Sequence, residues 1–101
     1  MAMAQKKEIT RAWLENVPQA KVFWCHDGRV VHSLEELAAA LRDMSAETFR
    51  YHVTKDKNDF RNWVRDVIGD TTLANQLGKA GTQTTSAHKV EARLSWLKAR
   101  V

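Results

Sequence analysis

A single cysteine, Cys25, rules out an intrachain disulfide and removes the thiol-ligand spacings of the common zinc sites. One proline, Pro18, and four glycines leave too few turn residues for a loop-rich or all-β architecture. No run of about eighteen apolar residues occurs, so no segment reads as a membrane-spanning helix. The opening MAMAQKKEIT lacks the apolar core of a signal peptide, and the cytoplasm is the expected compartment.

What is present suits one soluble domain spanning residues 1–101. The chain is 44% hydrophobic and 28% charged, the balance of an ordinary globular protein. At this length folding buries roughly two-thirds of the unfolded surface without metal or disulfide. Four tryptophans are many for so short a chain. Sixteen basic and twelve acidic residues give a net charge of +4, a mild bias toward anionic partners.

The periodicity is mainly helical. Ile9, Ala12, Trp13 and Val17 predict a first helix within 8–20, stopped by Pro18. KVFWCHDGRVV then sets two β-rich runs about Asp27-Gly28, which predicts a hairpin at about 21–32 with a two-residue type I′ turn. Ser33-Leu-Glu-Glu36 reads as a capping box, with Glu36 reaching back to the cap, and Leu34, Leu37, Ala38 and Leu41 predict a helix over 34–43. Ser45 caps a helix over 46–54 that carries Phe49 and Val53 inward.

Asn58 or Asp59 starts another helix, ending at Gly69, with Phe60, Trp63, Val64, Val67 and Ile68 on its buried side. Asp70 caps a short helix through Leu77, and GKAGTQTT (78–85) reads as a linker. The last helix, 86–100, aligns Ala87, Val90, Leu94, Leu97 and Val101 on its core face. The expected fold is mostly α (α+β): five to six short helices and one N-terminal β-hairpin.

Two helix faces are candidate binding surfaces. Arg61 and Arg65 lie one turn apart, with Lys57 a turn earlier, and like charges at that spacing cost an isolated helix a few tenths of a kcal/mol that an anion relieves. The bland alternative is a solvated face eased by Asp59 and Asp66. On the last helix Lys89, Arg93, Trp96 and Arg100 share one flank. Cations around an indole suit a phosphate backbone with a stacked base, or a protein hot spot; the alternative is a widened core stripe.

The remaining chemistry is thin. His52 follows Phe49 on the buried side and reads as a hydrogen-bonded core histidine. Cys25 and His26 are neighbours on a strand and point to opposite faces, which does not suit one metal. No catalytic group, metal site, cofactor or small-molecule substrate is expected. Residues 34–53 also read as a helix-turn-helix with Thr48, Arg50 and Tyr51 outward, but Arg42 occupies the position where that motif wants a small turn residue.

The hairpin FWCHDG, the helix SLEELAAAL, Phe49-x-x-His52, the KNDF-x-x-W run from Lys57 to Trp63, and the GD-x-x-LA run from Gly69 to Ala74 give the chain a resemblance. Over residues 22–77 it resembles an uncharacterised family of small prokaryotic, largely archaeal, domains of unknown function. The resemblance implies no activity and lends no site, and it leaves the basic flank of the last helix outside it.

The expectation is therefore a non-enzymatic binding protein: foremost a nucleic-acid-associated module for DNA or RNA, using Lys57, Arg61, Arg65, Lys89, Arg93, Trp96 and Arg100. The alternative is a homodimer or partner-docking domain built on the aromatic excess of Trp13, Trp24, Trp63 and Trp96, with an open hairpin edge as its docking point.

Overall fold

The computed structural model describes residues 2–101, with side chains from Glu8 onward. Among them are six α-helices and one two-stranded antiparallel sheet. In chain order these are α1 (Ala2–Leu14), β1 (Phe23–Trp24), β2 (Val30–Val31), α2 (Leu34–Asp43), α3 (Ala46–His52), α4 (Asp59–Trp63), α5 (Thr71–Ala80) and α6 (Gln83–Lys98). The expected fold class is observed.

The central packing is α6 against α2 and α5. Leu34, Leu37, Ala38 and Leu41 of α2, Leu73, Ala74 and Leu77 of α5, and Ala87, Val90, Leu94 and Leu97 of α6 are all buried. α2 and α6 run antiparallel. Lys98 meets Glu35 at one end, Arg42 meets Glu91 at the other, and the Gln83 side-chain amide donates to the Leu41 and Met44 carbonyls. The Gln83 bonds satisfy carbonyls that the end of α2 leaves without intrahelical partners.

Caps set most boundaries. Ser33, Ser45, Asn58, Asp70 and Thr82 each accept a backbone N–H three residues on. The box at Ser33 closes differently from expectation: Glu36 Oε1 accepts from the backbone N–H and ring Nδ1 of His32, not from Ser33. These bonds from His32 hold the Glu36 carboxyl below its usual range, against a smaller upward push from burial.

Several expectations need correction. α1 ends at Leu14, because the residue before Pro18 is driven extended and the Val17 N–H bonds the His32 carbonyl instead. Its inner stripe is Thr10, Trp13 and Leu14, with Val17 packed on the core beyond the helix end, so Ile9 and Ala12 face solvent.

The hairpin turn has three residues rather than two. Cys25 N–H bonds the Arg29 carbonyl, Gly28 N–H bonds the Cys25 carbonyl, and only Gly28 has a positive φ, +95°. Asp27 spends its carboxylate on the Arg29 N–H. That is a type I turn closed by a glycine bulge. Thr48, expected outward, is buried.

The 58–69 helix is regular only to Trp63; Val64–Ile68 widens into a π turn, closed by the Gly69 N–H on the Val64 carbonyl. The expected linker shrinks to Gly81-Thr82. α5 runs to Ala80, Gly81 takes the left-handed C-terminal position (φ +75°), and Thr82 caps α6. α6 therefore ends at Lys98, and Val101 is exposed rather than core.

Candidate nucleic-acid interface

Arg93 turns inward. Its guanidinium clasps Asp70 through Nε (2.7 Å) and Nη2 (3.0 Å), with Asp70 wholly buried and the Arg93 side chain 11% exposed. The same carboxylate caps α5 through the Leu73 N–H. One bidentate pair thus pins α6 to the start of α5.

Trp96 is 43% exposed, but its ring is already attended. The Arg93 guanidinium carbon lies 4.4 Å from its centroid and that of Arg100 lies 3.6 Å away, while Arg100 also donates to the Trp96 carbonyl. The structure brings Arg93, Trp96 and Arg100 together as the helical spacing implies. It assigns Arg93 to Asp70 and the indole to the two guanidiniums. Lys89 is exposed one turn earlier.

The other predicted face divides. Arg65 folds onto its neighbour Asp66 through two bonds, which lowers the Asp66 carboxyl and raises the guanidinium. Lys57 and Arg61 instead share a cleft of about 410 Å³ with Lys55, Asp56, Asn58 and Gly78 on its walls. Arg61 extends across α5 at Gly78, where an added Cβ would sit 3.0 Å from its Cδ. Helix α4 starts at Asp59, so Lys57 belongs to the preceding turn. That turn is firmly closed: Val53 bridges Asn58, the Thr54 N–H bonds the Lys57 carbonyl, and Thr54 Oγ1 accepts the Asp56 and Lys57 N–H groups.

A ring of contacts joins this turn to the hairpin tip. The His26 backbone N–H donates to His52 Nε2 (2.9 Å), and His52 Nδ1 donates to Asp59 Oδ2 (3.0 Å). The same Oδ2 accepts from Lys57 Nζ (3.0 Å), which also lies 5.0 Å from the Tyr51 ring centroid. Tyr51 stacks on His26 at 3.9 Å and 14°, which closes the circuit. Because Nε2 accepts, the neutral Nδ1–H tautomer of His52 is the one these partners select. Burial pushes Asp59 upward, but the bonds from His52 and Lys57 outweigh it and hold the carboxyl below its ordinary value.

His52 and Asp59 have the spacing of a catalytic dyad, yet the nitrogen that would face a substrate is spent on a main-chain N–H. Cys25 is buried beneath the hairpin, and desolvation, aided by the Asp27 charge, pushes its thiol up to about 11. It is a thiol rather than a nucleophilic thiolate near neutral pH. Among the described residues, no three His, Cys, Asp or Glu side chains gather as a metal site, and no helix is long and apolar enough to cross a membrane.

Of the tryptophans, Trp63 is core, its indole N–H bonding the Lys21 carbonyl at 2.8 Å, and Trp13 is half-buried. Trp24 is 64% exposed on the outer face of the hairpin.

Sequence reasoning missed Lys55 and His26 as members of a surface, and it placed Tyr51 outward only within the helix-turn-helix reading. Lys55 was visible beside Lys57 in KDKND. The stacking of His26 on Tyr51 joins residues 25 positions apart and has no local signal.

Residues 16–97 match the model of the Family of unknown function (DUF5752). The match runs past the 22–77 resemblance and takes in Lys89, Arg93 and Trp96, leaving Arg100 outside. No curated protein and no solved structure matches the chain.

Proposed function

The chain belongs to that family, which assigns no activity, and we propose from its own surface that it is a non-enzymatic nucleic-acid-binding module. The observation that supports this reading is the cleft: Lys55, Lys57 and Arg61 converge on one open concavity with Asp56 as the one acid among its lining residues, Lys57 being bonded to Asp59 beside it. A phosphate backbone entering there replaces cation–cation repulsion with attraction and releases its condensed counterions. Lys89 and Arg100 on the α6 side and Arg65 beside Asp66 are further candidate contacts apart from the cleft; Arg93 acts through the fold.

The test is fluorescence anisotropy of labelled oligonucleotides titrated with the protein at about 50 and 200 mM salt. Three to four phosphate contacts on a single strand predict a log–log salt slope of about −2 to −3, hence about a twenty- to fiftyfold loss over that range. Lys55→Glu with Arg61→Glu is expected to abolish most of the binding and flatten the slope. Absence of binding at the lower salt sinks the reading.

A second reading, self-association, draws on the exposure of Trp24. Backbone groups flanking the strands are already taken, with Lys21 C=O bonded by Trp63, His26 N–H by His52 and His32 C=O by Val17. On this reading self-association uses the exposed Trp24 face of the hairpin. A sedimentation profile that stays monomeric at high protein concentration removes this reading.

A further inference from the structure

Resting on the nucleic-acid reading, we propose that the partner is single-stranded. Its unpaired bases stack on Trp24 and the His26–Tyr51 pair while its phosphates lie in the Lys55–Lys57–Arg61 cleft. Lys57 belongs to both parts, lining the cleft and lying over the Tyr51 ring, so the His26–Tyr51 pair adjoins the cationic cleft, and Trp24 is the exposed ring two residues before His26.

The aromatic part is exposed where it counts. Strand alternation sends Phe23 into the core, against Phe60 and Trp63, and sends Trp24 out. Trp24 is 64% exposed and Tyr51 52% exposed, and His26 lies at the surface beside Tyr51.

The surface is also held in shape. The circuit from His26 through His52, Asp59 and Lys57 to Tyr51 ties the hairpin tip to the cleft, so little conformational freedom is lost when a strand arrives. Charge of one sign beside solvent-exposed rings suits a ligand that is anionic along its backbone and aromatic at regular intervals. In a duplex those rings are hidden in the stack, and only an unpaired strand offers both. A second copy of this chain, carrying the same cations, lacks that complementarity.

The experiment compares one labelled single strand, its duplex, and an abasic strand of equal length that keeps every phosphate and lacks the bases. The expected order is single strand tightest, exceeding the abasic strand by about five- to a hundredfold, as one or more stacked bases would give. Trp24→Ala is expected to weaken single-strand binding at least about fivefold and leave abasic binding unchanged, while Trp24→Phe retains most of the affinity. An unchanged thermal midpoint confirms that each variant is folded.

Equal binding of the normal and abasic strands overturns the stacking inference and leaves the phosphate cleft standing. Duplex binding as tight as single-strand binding overturns it in the same way. If neither strand binds at low salt, the functional reading itself fails. If Trp24→Ala leaves strand binding intact but converts a sedimenting dimer to monomer, the hairpin face belongs to self-association.

Discussion

Arg93→Leu separates a cation that holds the fold from one that serves the surface. Asp70 has no solvent exposure and Arg93 keeps 11% of its side-chain exposure, so the screening that reduces exposed pairs to at most about 1 kcal/mol is absent. Without the guanidinium, the buried carboxylate keeps only the Leu73 N–H among its present partners. A buried charge stranded in this way costs about 3–5 kcal/mol. The domain as a whole is expected to hold about 5–15 kcal/mol, so about a fifth or more of its stability is at stake.

At about 4–8 °C per kcal/mol for a chain of this size, the thermal midpoint falls by roughly 12 °C or more. Urea denaturation followed by far-UV circular dichroism gives the same quantity through the shift in midpoint at constant slope. Asp70→Asn preserves a capping oxygen and removes the charge, so the double variant is expected to be more stable than Arg93→Leu alone. Arg65→Ala, whose partner Asp66 sits in solvent, is expected to leave the midpoint where it was. If Arg93→Leu and Arg65→Ala melt together, the assignment of Arg93 to the fold is refuted. The loss of nucleic-acid binding in any Arg93 variant would then report on a contact.

Asp59 titrates below its ordinary value in the folded chain, so its contribution is full above about pH 4, the unfolded value, and fades as pH falls through the lower folded one. The stability gap between the parent and Asp59→Asn, measured by urea titrations from pH 6 to 3, should narrow with acidification; a constant gap contradicts the bonds from His52 and Lys57. Cys25, with its thiol near 11, should be about one part in a thousand thiolate at pH 8. Its reaction with a disulfide reagent should be at least about a hundredfold slower in the native protein than in urea, and comparable rates would restore it as a candidate nucleophile. Gly78→Ala gains up to about 1 kcal/mol of helix propensity yet places a methyl 3.0 Å from Arg61 Cδ. The flexible arginine is expected to move aside, so the thermal midpoint holds or rises while oligonucleotide affinity changes; a marked drop in the midpoint would mean that Arg61 is locked in place.

The caps at Ser33, Ser45, Asn58 and Asp70 are legible in the sequence because capping joins residues three apart. The stripes of α2, α5 and α6 are legible because burial imprints a helical period. Asp27-Gly28 announced a turn, and Trp63 announced itself as core. Local chemistry does not choose between neighbouring stripes, however. In α1 the Thr10–Trp13–Leu14 face competes with one through Ile9 and Ala12, and packing against the rest of the chain decided for the first.

Nor does it say which cations are already spoken for. Arg93 reads as a solvated flank residue until Asp70, 23 positions away, is seen beneath it, and Lys57 and Arg61 read as neighbours of Arg65 until a π turn and the Asp66 carboxylate set Arg65 apart. His52 could be placed on the buried side from its spacing to Phe49. Its partners, the backbone of His26 and the carboxylate of Asp59, came from the hairpin and the start of α4. Sequence by itself determined where α2, α3, α4 and α5 begin and which residues are apolar enough to bury, because both follow from nearby covalent neighbours. Tertiary structure alone decided which charges and rings remain available to a partner, because each such group is satisfied or left open by residues far along the chain.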